Sequence, residues 1–233
     1  MGILLLQAMG ICVIMCEVML MKHSDVKIIT ANAEEIEINR NELALRLKTD
    51  RNYESEIIEK CRKQFNKVVN YRCAYIRIPV DLSRENICKF DFAEVHSKNL
   101  YKNLQGCKEV FVFAVTTGIS VDRLLAKLNI TSQAEHFITD GLSSAAIESF
   151  CDHVSDTLKK GLKCASRFSA GYGDFSITFQ KPLLERLSAS ETLGITLNSA
   201  YLMTPVKSIT AIMGIKQLAV SNYFDHHFMK KRR

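Results

Sequence analysis

The sequence predicts a single α+β domain that spans residues 25 to 220, and three segments carry this prediction. Residues 51 to 69 have the apolar period of an amphipathic helix. Residues 109 to 115, EVFVFAV, have the composition of a buried strand. A second, longer helix is expected to begin after Ser132. No Pro- or Ser-rich linker, low-complexity segment or internal repeat interrupts the chain, so one domain is the simplest interpretation.

The composition is that of a folded protein with a full hydrophobic core. Of the 233 residues, 47% are hydrophobic and 24% are charged, which argues against disorder, a collagen-like chain or a repeat array. The 31 basic and 25 acidic side chains leave a net charge of +6, and part of that excess lies in a basic tail, residues 221 to 233. The charge therefore gives no reason to expect a nucleic-acid partner.

The cysteines indicate a reducing compartment. The chain has eight of them, without a Cys-x-x-Cys pair or a regular spacing. A chain of this length can form a core without disulfides. We therefore expect reduced thiols in a cytoplasmic protein.

The N-terminal segment from Gly2 to Met21 is almost wholly apolar. No Lys or Arg precedes it, as a signal peptide would require, and Glu17 interrupts a stretch that barely reaches the roughly 20 residues of a membrane span. We interpret residues 1 to 24 as an extension ahead of the functional domain, such as an over-long translation start. A packed helix and a membrane element are the alternatives, and no membrane partner is expected.

The first helix and the strands follow from their apolar spacing. Within residues 51 to 69, apolar side chains recur at intervals of three and four, with charged residues between them. The run from Tyr75 to Val80 predicts a short strand. The run at 109 to 115 is stronger and ends before Gly118, so we expect it to be a central strand.

The long helix is predicted from a capping box. Ser132 and Glu135 have the spacing at which each side chain accepts a hydrogen bond from the other's backbone N–H group. Gly141 lies inside this helix, and its missing side chain suggests either a close approach of another backbone or a ligand, or simple helix packing. The expected buried stripe comprises Ala134, Phe137, Ile138, Leu142, Ala145, Ala146, Phe150, Val154 and Leu158.

Three polar residues of the same helix lie one turn apart. Asp140, Ser144 and Glu148 form a stripe, for which a solvated face is the favoured interpretation and a ligand-facing stripe the alternative. Beyond Gly161 we expect a loop. The elements predicted after this loop are a helix at Leu183 to Leu193, a strand start at Ile195 and Leu197, and a strand at Ser208 to Ile215.

Several common sites are absent from the sequence. Gly171 and Gly173 supply two glycines of a dinucleotide fingerprint, but Ser176 stands at the third position. There is no Gly-x-x-x-x-Gly-Lys-Ser/Thr loop. His226 and His227 are adjacent, and neighbours in sequence point apart, so no metal site is expected.

The loop from Ser166 to Phe175, SRFSAGYGDF, is the most distinctive segment. Arg167 suits a carboxylate bound in bidentate fashion, and Tyr172 suits a flat ring or a sulfonium. The glycines allow the backbone to approach a ligand. This combination fits a small zwitterion, although a tight turn with a surface arginine explains the same composition.

Three segments taken together resemble one known family. Residues 167 to 175 (RFSAGYGDF), 194 to 205 (GITLNSAYLMTP) and 207 to 214 (KSITAIMG) resemble the activation domain of cobalamin-dependent methionine synthase. Residues 111 to 125 and 140 to 152 resemble the strand, turn and helix of the same family. The similarity is strongest to the stand-alone bacterial proteins related to that domain, and it extends from about residue 35 to residue 215.

The resemblance implies an α+β fold in which helices flank an antiparallel sheet and which binds S-adenosylmethionine. In this family, oxidised cob(II)alamin is reduced by one electron and then methylated from S-adenosylmethionine. The implied partners are a methionine synthase subunit that carries the cobalamin and a reducing flavoprotein. The module would act in trans, and it would orient the methyl donor rather than act as an independent catalyst.

The family's site residues are transferred onto the matching positions. Arg167 falls on the arginine that we assign to the methionyl carboxylate. Two further positions, Gly171 and Tyr172, would line the ligand, and Ser208 is a weaker candidate. The backbone groups that would complete the site belong to Phe168, Ser169 and Ala170.

The sequence departs from the family pattern in two places. Ala170 stands where proline is usual. After Gly214 the chain lacks both the tyrosine-containing ligand segment of the full-length synthase and the cysteine-rich tail of the stand-alone proteins.

Two other functions stay open at this point. One is a binding or regulatory protein that keeps the fold, contacts a corrinoid protein and has lost the donor site. The other is a free-standing methyltransferase for a different acceptor, for which the sequence offers no recognisable base or acceptor pocket.

Overall fold

The computed structural model describes residues 25 to 49 and 55 to 216. The predictions for residues 1 to 24, for the basic tail and for the pair His226 and His227 lie outside the described residues. None of the helices in the two described ranges has both the length and the apolar character that a membrane span requires.

The described strands form one central sheet and two small hairpins. They are β1 (Lys27–Ala31), β2 (Tyr71–Pro79), β3 (Ile87–Lys89), β4 (Glu94–His96), β5 (Cys107–Thr116), β6 (Thr196–Leu197), β7 (Met203–Thr204) and β8 (Ser208–Lys216). The central sheet has the order β1-β2-β5-β8, and every neighbouring pair is antiparallel. The hairpins pair β3 with β4 and β6 with β7.

The helices pack on both faces of this sheet. They are α1 (Arg40–Leu47), α2 (Glu56–Asn66), α3 (Lys98–Leu104), α4 (Ile119–Thr131), α5 (Gln133–Lys159), α6 (Gln180–Arg186) and α7 (Ala189–Leu193). Short 3₁₀ helices cover Ala33–Glu35 and Ile177–Phe179. The predicted α+β class with an antiparallel sheet and flanking helices is confirmed.

Strand β5 illustrates why the sheet needs helices on both sides. Successive side chains of a strand point to opposite faces, and both faces of β5 are apolar. Phe111, Phe113 and Val115 pack with α1, α2, α4 and α5 on one face. Val110, Val112 and Ala114 pack with α3, α6 and α7 on the other. Full burial of such a Phe or Val side chain contributes about 1.5–3 kcal/mol to the stability of the fold. Because both faces of β5 are buried, the predicted central strand lies between two cores.

Helix α2 is shorter than the predicted segment of 51 to 69. It begins after Ser55, whose hydroxyl accepts a hydrogen bond from the Ile58 N–H group at 3.4 Å, and it ends at Asn66. Cys61 and Phe65 are its buried side chains, as the apolar period predicted. The strand predicted at Tyr75 begins earlier, at Tyr71.

The N-terminus of α5 has half of the predicted capping box. The Ser132 hydroxyl accepts a hydrogen bond from the Glu135 N–H group at 3.3 Å. The Glu135 carboxylate, however, binds Lys60 at 2.8 Å and Gln64 at 3.4 Å, because α2 brings these donors within reach. The side chain therefore links α2 to α5 instead of closing the box.

The buried stripe of α5 was predicted correctly except at its start. The predicted residues from Leu142 to Leu158 reach the core, whereas Ala134 and Phe137 are exposed and Ile138 is half-buried. A Cβ atom on Gly141 would lie 2.9 Å from Cδ2 of Leu47. Of the two interpretations of this glycine, helix packing against α1 is confirmed.

The helix predicted at Leu183 to Leu193 is two helices. Ser188, between α6 and α7, has a φ of 47°, which lies in the left-handed region and ends the first helix. The elements that were not predicted are the strands β1, β3, β4 and β7 and the helices α1, α3 and α4. Strand β1 is a partly exposed strand at the edge of the sheet. Its side chains are buried neither alternately nor continuously, so the apolar period of a strand does not reveal it.

Candidate functional site

The site lies beside β8, which is an edge strand of the central sheet. Another segment of the chain forms backbone hydrogen bonds with only part of its free edge. The Ala165 N–H group donates to the Gly214 carbonyl at 2.8 Å, and Phe168 and Ile212 exchange two backbone hydrogen bonds at 2.8 and 2.9 Å. After Phe168 the chain turns away from the sheet. The first residues of β8 are thereby left open to a cavity of about 490 Å³.

Most of the predicted site residues line this cavity. They are Arg167, Phe168, Ser169, Ala170, Tyr172 and Ser208. Gly171 is not among the lining residues. It shapes the turn instead, with a φ of 95° that favours glycine and a backbone N–H group that donates to the Phe175 carbonyl at 2.7 Å.

Asp174 fastens the loop to the N-terminus of α3. Its Oδ1 accepts hydrogen bonds from the Ser97 hydroxyl at 2.6 Å and the Asn99 N–H group at 3.1 Å, and its Oδ2 accepts one from the Lys98 N–H group at 2.8 Å. The Ser97 bond, together with the two backbone bonds, holds the pKa of Asp174 below its ordinary value. The ionised carboxylate therefore fixes the position of the Gly171 turn.

Arg167 is half-buried and faces α5. Its guanidinium donates to Glu148 at 2.8 Å and also to Asp152. Burial opposes the charge, but the interactions with Cys151, Asp152 and Glu148 together outweigh it, and the pKa of Arg167 lies above its ordinary value. The guanidinium that was assigned to a ligand carboxylate is thus held at the cavity wall by carboxylates of the protein.

The polar stripe of α5 is not a free solvated face. The Lys207 ammonium donates to Asp140 at 2.7 Å and to the Ser144 hydroxyl at 2.8 Å, while Glu148 binds Arg167. Lys207 stands just before β8, and Arg167 precedes the turn. The stripe therefore binds both chain segments that frame the cavity.

Ser208 lies at the inner wall with its hydroxyl already engaged. Its Oγ lies 2.7 Å from the Pro205 carbonyl and 3.0 Å from the Thr116 hydroxyl. Tyr172 has the opposite environment, because 67% of its surface is exposed. The cavity thus runs from an exposed phenol ring to a buried floor.

Several residues that line the cavity were not predicted from the sequence. They are Glu148, Gln180, Met203, Ile209 and Thr210. Glu148 was predicted only as part of a polar stripe, since its pairing with Arg167 depends on tertiary contacts. Gln180 carried one usable signal, because it precedes Leu183 and Leu184 at helical spacing and is therefore a polar residue on an apolar face.

A second, larger groove of about 1400 Å³ lies along α2. Its lining is rich in charged side chains such as Arg40, Glu59 and Lys63, and it contains none of the predicted site residues. Among the described residues there is no group of three or more His, Cys, Asp or Glu side chains that could hold a metal ion.

Comparison with known proteins identifies the fold. No family model matches the chain, and neither does any curated protein sequence. Among solved structures, the crystal structure of the MetH reactivation domain bound to AdoHcy matches with a TM-score of 0.59 and 13% identity. The match covers 82% of this chain and 78% of that one. The chain therefore has the fold of a methionine synthase reactivation domain, as the resemblance implied.

Proposed function

We propose that this protein is a cytoplasmic S-adenosylmethionine-binding module that serves the reductive reactivation of cob(II)alamin in methionine synthase. It acts in trans, as an accessory to the synthase rather than as an independent catalyst. The observation that carries the proposal is the cavity beside β8. It brings the Arg167 loop and Ser208 together on a fold shared with a domain that binds AdoHcy.

The size and lining of the cavity support a ligand of this kind. Small-molecule sites occupy about 300–1,000 Å³ and combine apolar walls with a few polar groups. At about 490 Å³, the cavity falls within this range, and Phe168, Met203 and Ile209 supply apolar surface.

The paired charges at the wall suit the amino-acid end of the ligand. A methionyl group carries a carboxylate and an ammonium, which complement Arg167 and Glu148 respectively. The side chain of Asp152 is 65% exposed, whereas that of Glu148 is 37% exposed. Asp152 is therefore the partner that Arg167 gives up most easily when a ligand carboxylate arrives, because water can solvate the released aspartate.

Tyr172 suits the sulfonium. Its ring is exposed at the cavity, where an aromatic face attracts a cation. S-adenosylmethionine supplies an electrophilic methyl group on that sulfonium. The residues of this chain hold the donor and orient it toward the corrinoid of the partner subunit, so that positioning supplies the rate enhancement.

Titration calorimetry with S-adenosylmethionine tests the binding assignment. We expect saturable binding that Arg167→Ala weakens by about 10- to 100-fold, because the ligand carboxylate loses its charged hydrogen bonds. Arg77→Ala is the matched control, since Arg77 pairs with Glu109 on β5 outside the cavity lining. An absence of heat for the parent protein would remove the assignment.

The ion pairs of Arg167 also favour a second candidate function. A guanidinium that already binds Glu148 and Asp152 is what a protein without a donor site would retain for stability. Such a protein would bind a corrinoid protein and regulate it without any methyl donor. Capture of the corrinoid subunit by a protein that gives no heat with S-adenosylmethionine would favour this alternative.

A further inference from the structure

Gln180 is a buried polar residue at the floor of the cavity. It is the first residue of α6, only 6% of its surface is exposed, and it lines the cavity beside β8. Within the described part of the chain, its Oε1 atom has no hydrogen-bond partner.

An unpaired buried carboxamide oxygen lowers stability, so the position calls for an explanation. The neighbours of Gln180 on α6 include Leu183 and Leu184, which are buried in the core. An apolar side chain of the same length would therefore fit this position without leaving a polar atom unpaired. The glutamine is explained if a ligand supplies the hydrogen-bond donor that its Oε1 atom lacks.

We propose that Gln180 recognises the amino edge of the adenine ring in the bound nucleoside. Its Oε1 accepts a hydrogen bond from the adenine amino group, and its Nε2 donates to the ring nitrogen N7. Glutamine and adenine form such a bidentate pair because each presents a donor and an acceptor side by side. The inference rests on the proposed function and assigns the end of the ligand that the Arg167 loop does not explain.

The distribution of charge favours the adenine over the ammonium as the partner of Gln180. An ammonium is best matched by a carboxylate, and Glu148 provides one at the cavity wall. The carboxamide of Gln180 is neutral. The apolar side chains of Phe168 and Ile209 line the same cavity and suit a flat ring.

The test compares the binding of S-adenosylhomocysteine with that of S-inosylhomocysteine, in which an oxo group replaces the adenine amino group. We expect the parent protein to prefer the adenine compound by about tenfold or more, the discrimination typical of one bidentate pair. Gln180→Met is expected to lower this preference to near unity. Without ligand, its melting temperature should equal or exceed that of the parent, since an unpaired polar atom is removed.

Two further variants keep the result interpretable. Gln180→Leu also removes both the acceptor and the donor, so it should lose the preference as well if Gln180→Met folds poorly. Arg167→Lys should weaken both ligands and leave their ratio unchanged.

The outcomes separate the inference from the function on which it rests. Equal affinity of the parent for both compounds, or a preference that survives both Gln180 substitutions, would overturn the role of Gln180 while the proposed function stands. If the parent binds neither compound, the proposed function fails and the inference fails with it.

Discussion

Charged side chains hold the cavity in shape through their partners on α5. Arg167 and Lys207 belong to two different chain segments beside the cavity and bind Glu148 and Asp140 respectively. The side chains of both cations are largely withdrawn from water, with 26% and 12% of their surfaces exposed. Hydrogen bonds to such charges contribute about 1.5–3 kcal/mol each, enough to fix the framing segments.

Asp174 should make stability depend on pH in the acid range. Its pKa is lowered in the folded protein, chiefly by the Ser97 hydrogen bond. The ionised form therefore stabilises the fold above the ordinary pKa, and this contribution is lost as the pH falls through the lowered value. We expect Asp174→Asn to be less stable than the parent at about pH 6, and the gap to narrow toward about pH 3, as measured by urea unfolding.

Asp156→Asn serves as the control for that measurement. Asp156 lies on the exposed side of α5, where it meets Lys159 at 3.5 Å. Its substitution should leave the stability at about pH 6 close to that of the parent, because an exposed ion pair contributes little. A constant difference between Asp174→Asn and the parent across the pH range would contradict the role assigned to the Asp174 carboxylate.

Single residues of the site were predictable where the chemistry is local. The loop from Arg167 to Tyr172 is contiguous in sequence, and its glycines and arginine stand out by type. Glu148 and Gln180 could not be selected in the same way, because their proximity to the loop arises from packing of α5 and α6 against it. The paired state of Arg167 also depends on α5 and is invisible in the loop alone.

Among the elements, α5 connects several described parts of the domain. It packs on α1, α2 and α4 and contributes Leu142, Ala145 and Phe150 to the core. Its polar stripe also binds the segments that frame the cavity. Displacement of this helix should therefore disturb both the core and the site.

Enlarging Gly141 tests how closely α5 approaches α1. Gly141→Val should destabilise the protein by about 1–3 kcal/mol in urea unfolding, because the added carbons would overlap Leu47. Gly141→Ala is the control. Its methyl group meets the flexible end of Leu47, and the gain in helix propensity of about 1 kcal/mol offsets this contact. Equal stability of the valine and alanine variants would show that the helices are not closely packed there.

Elements with a strong period were predictable from sequence, and the others were not. Helix α5 and strand β5 are long and have continuous apolar faces, so the helix followed from its capping signal and apolar stripe, and the strand from its apolar composition. The break between α6 and α7 depends on one left-handed residue, Ser188, which the apolar pattern does not reveal. The strand start predicted at Ile195 and Leu197 is confirmed as β6, whereas its partner β7 has only two residues, too few for a period.

At the scale of the molecule, the site lies where the two cores on opposite faces of the sheet meet. Phe168 and Phe175 pack on the α6 side of the sheet, whereas Arg167 reaches the α5 side. Arg186 forms two further salt bridges, to Asp25 at 2.5 Å and to Asp91 at 3.0 Å. The start of the described chain is thereby connected to the core that supports the floor of the cavity.

The fold was predictable as a class, and its arrangement was not. The composition and the mixture of helices and strands indicated one α+β domain, and the resemblance implied the antiparallel sheet. The strand order and the open end of β8 arise from pairings between segments far apart in sequence, which no local pattern specifies. The cavity exists because of that open end.

The visible spectrum of a cob(II)alamin-loaded methionine synthase without its own activation domain tests the proposed function most directly. We predict conversion to methylcobalamin when this protein, S-adenosylmethionine and a reductant are all present, and a much slower change with Arg167→Ala. An unchanged cob(II)alamin spectrum in the complete mixture, at concentrations where both proteins are folded, would contradict the account.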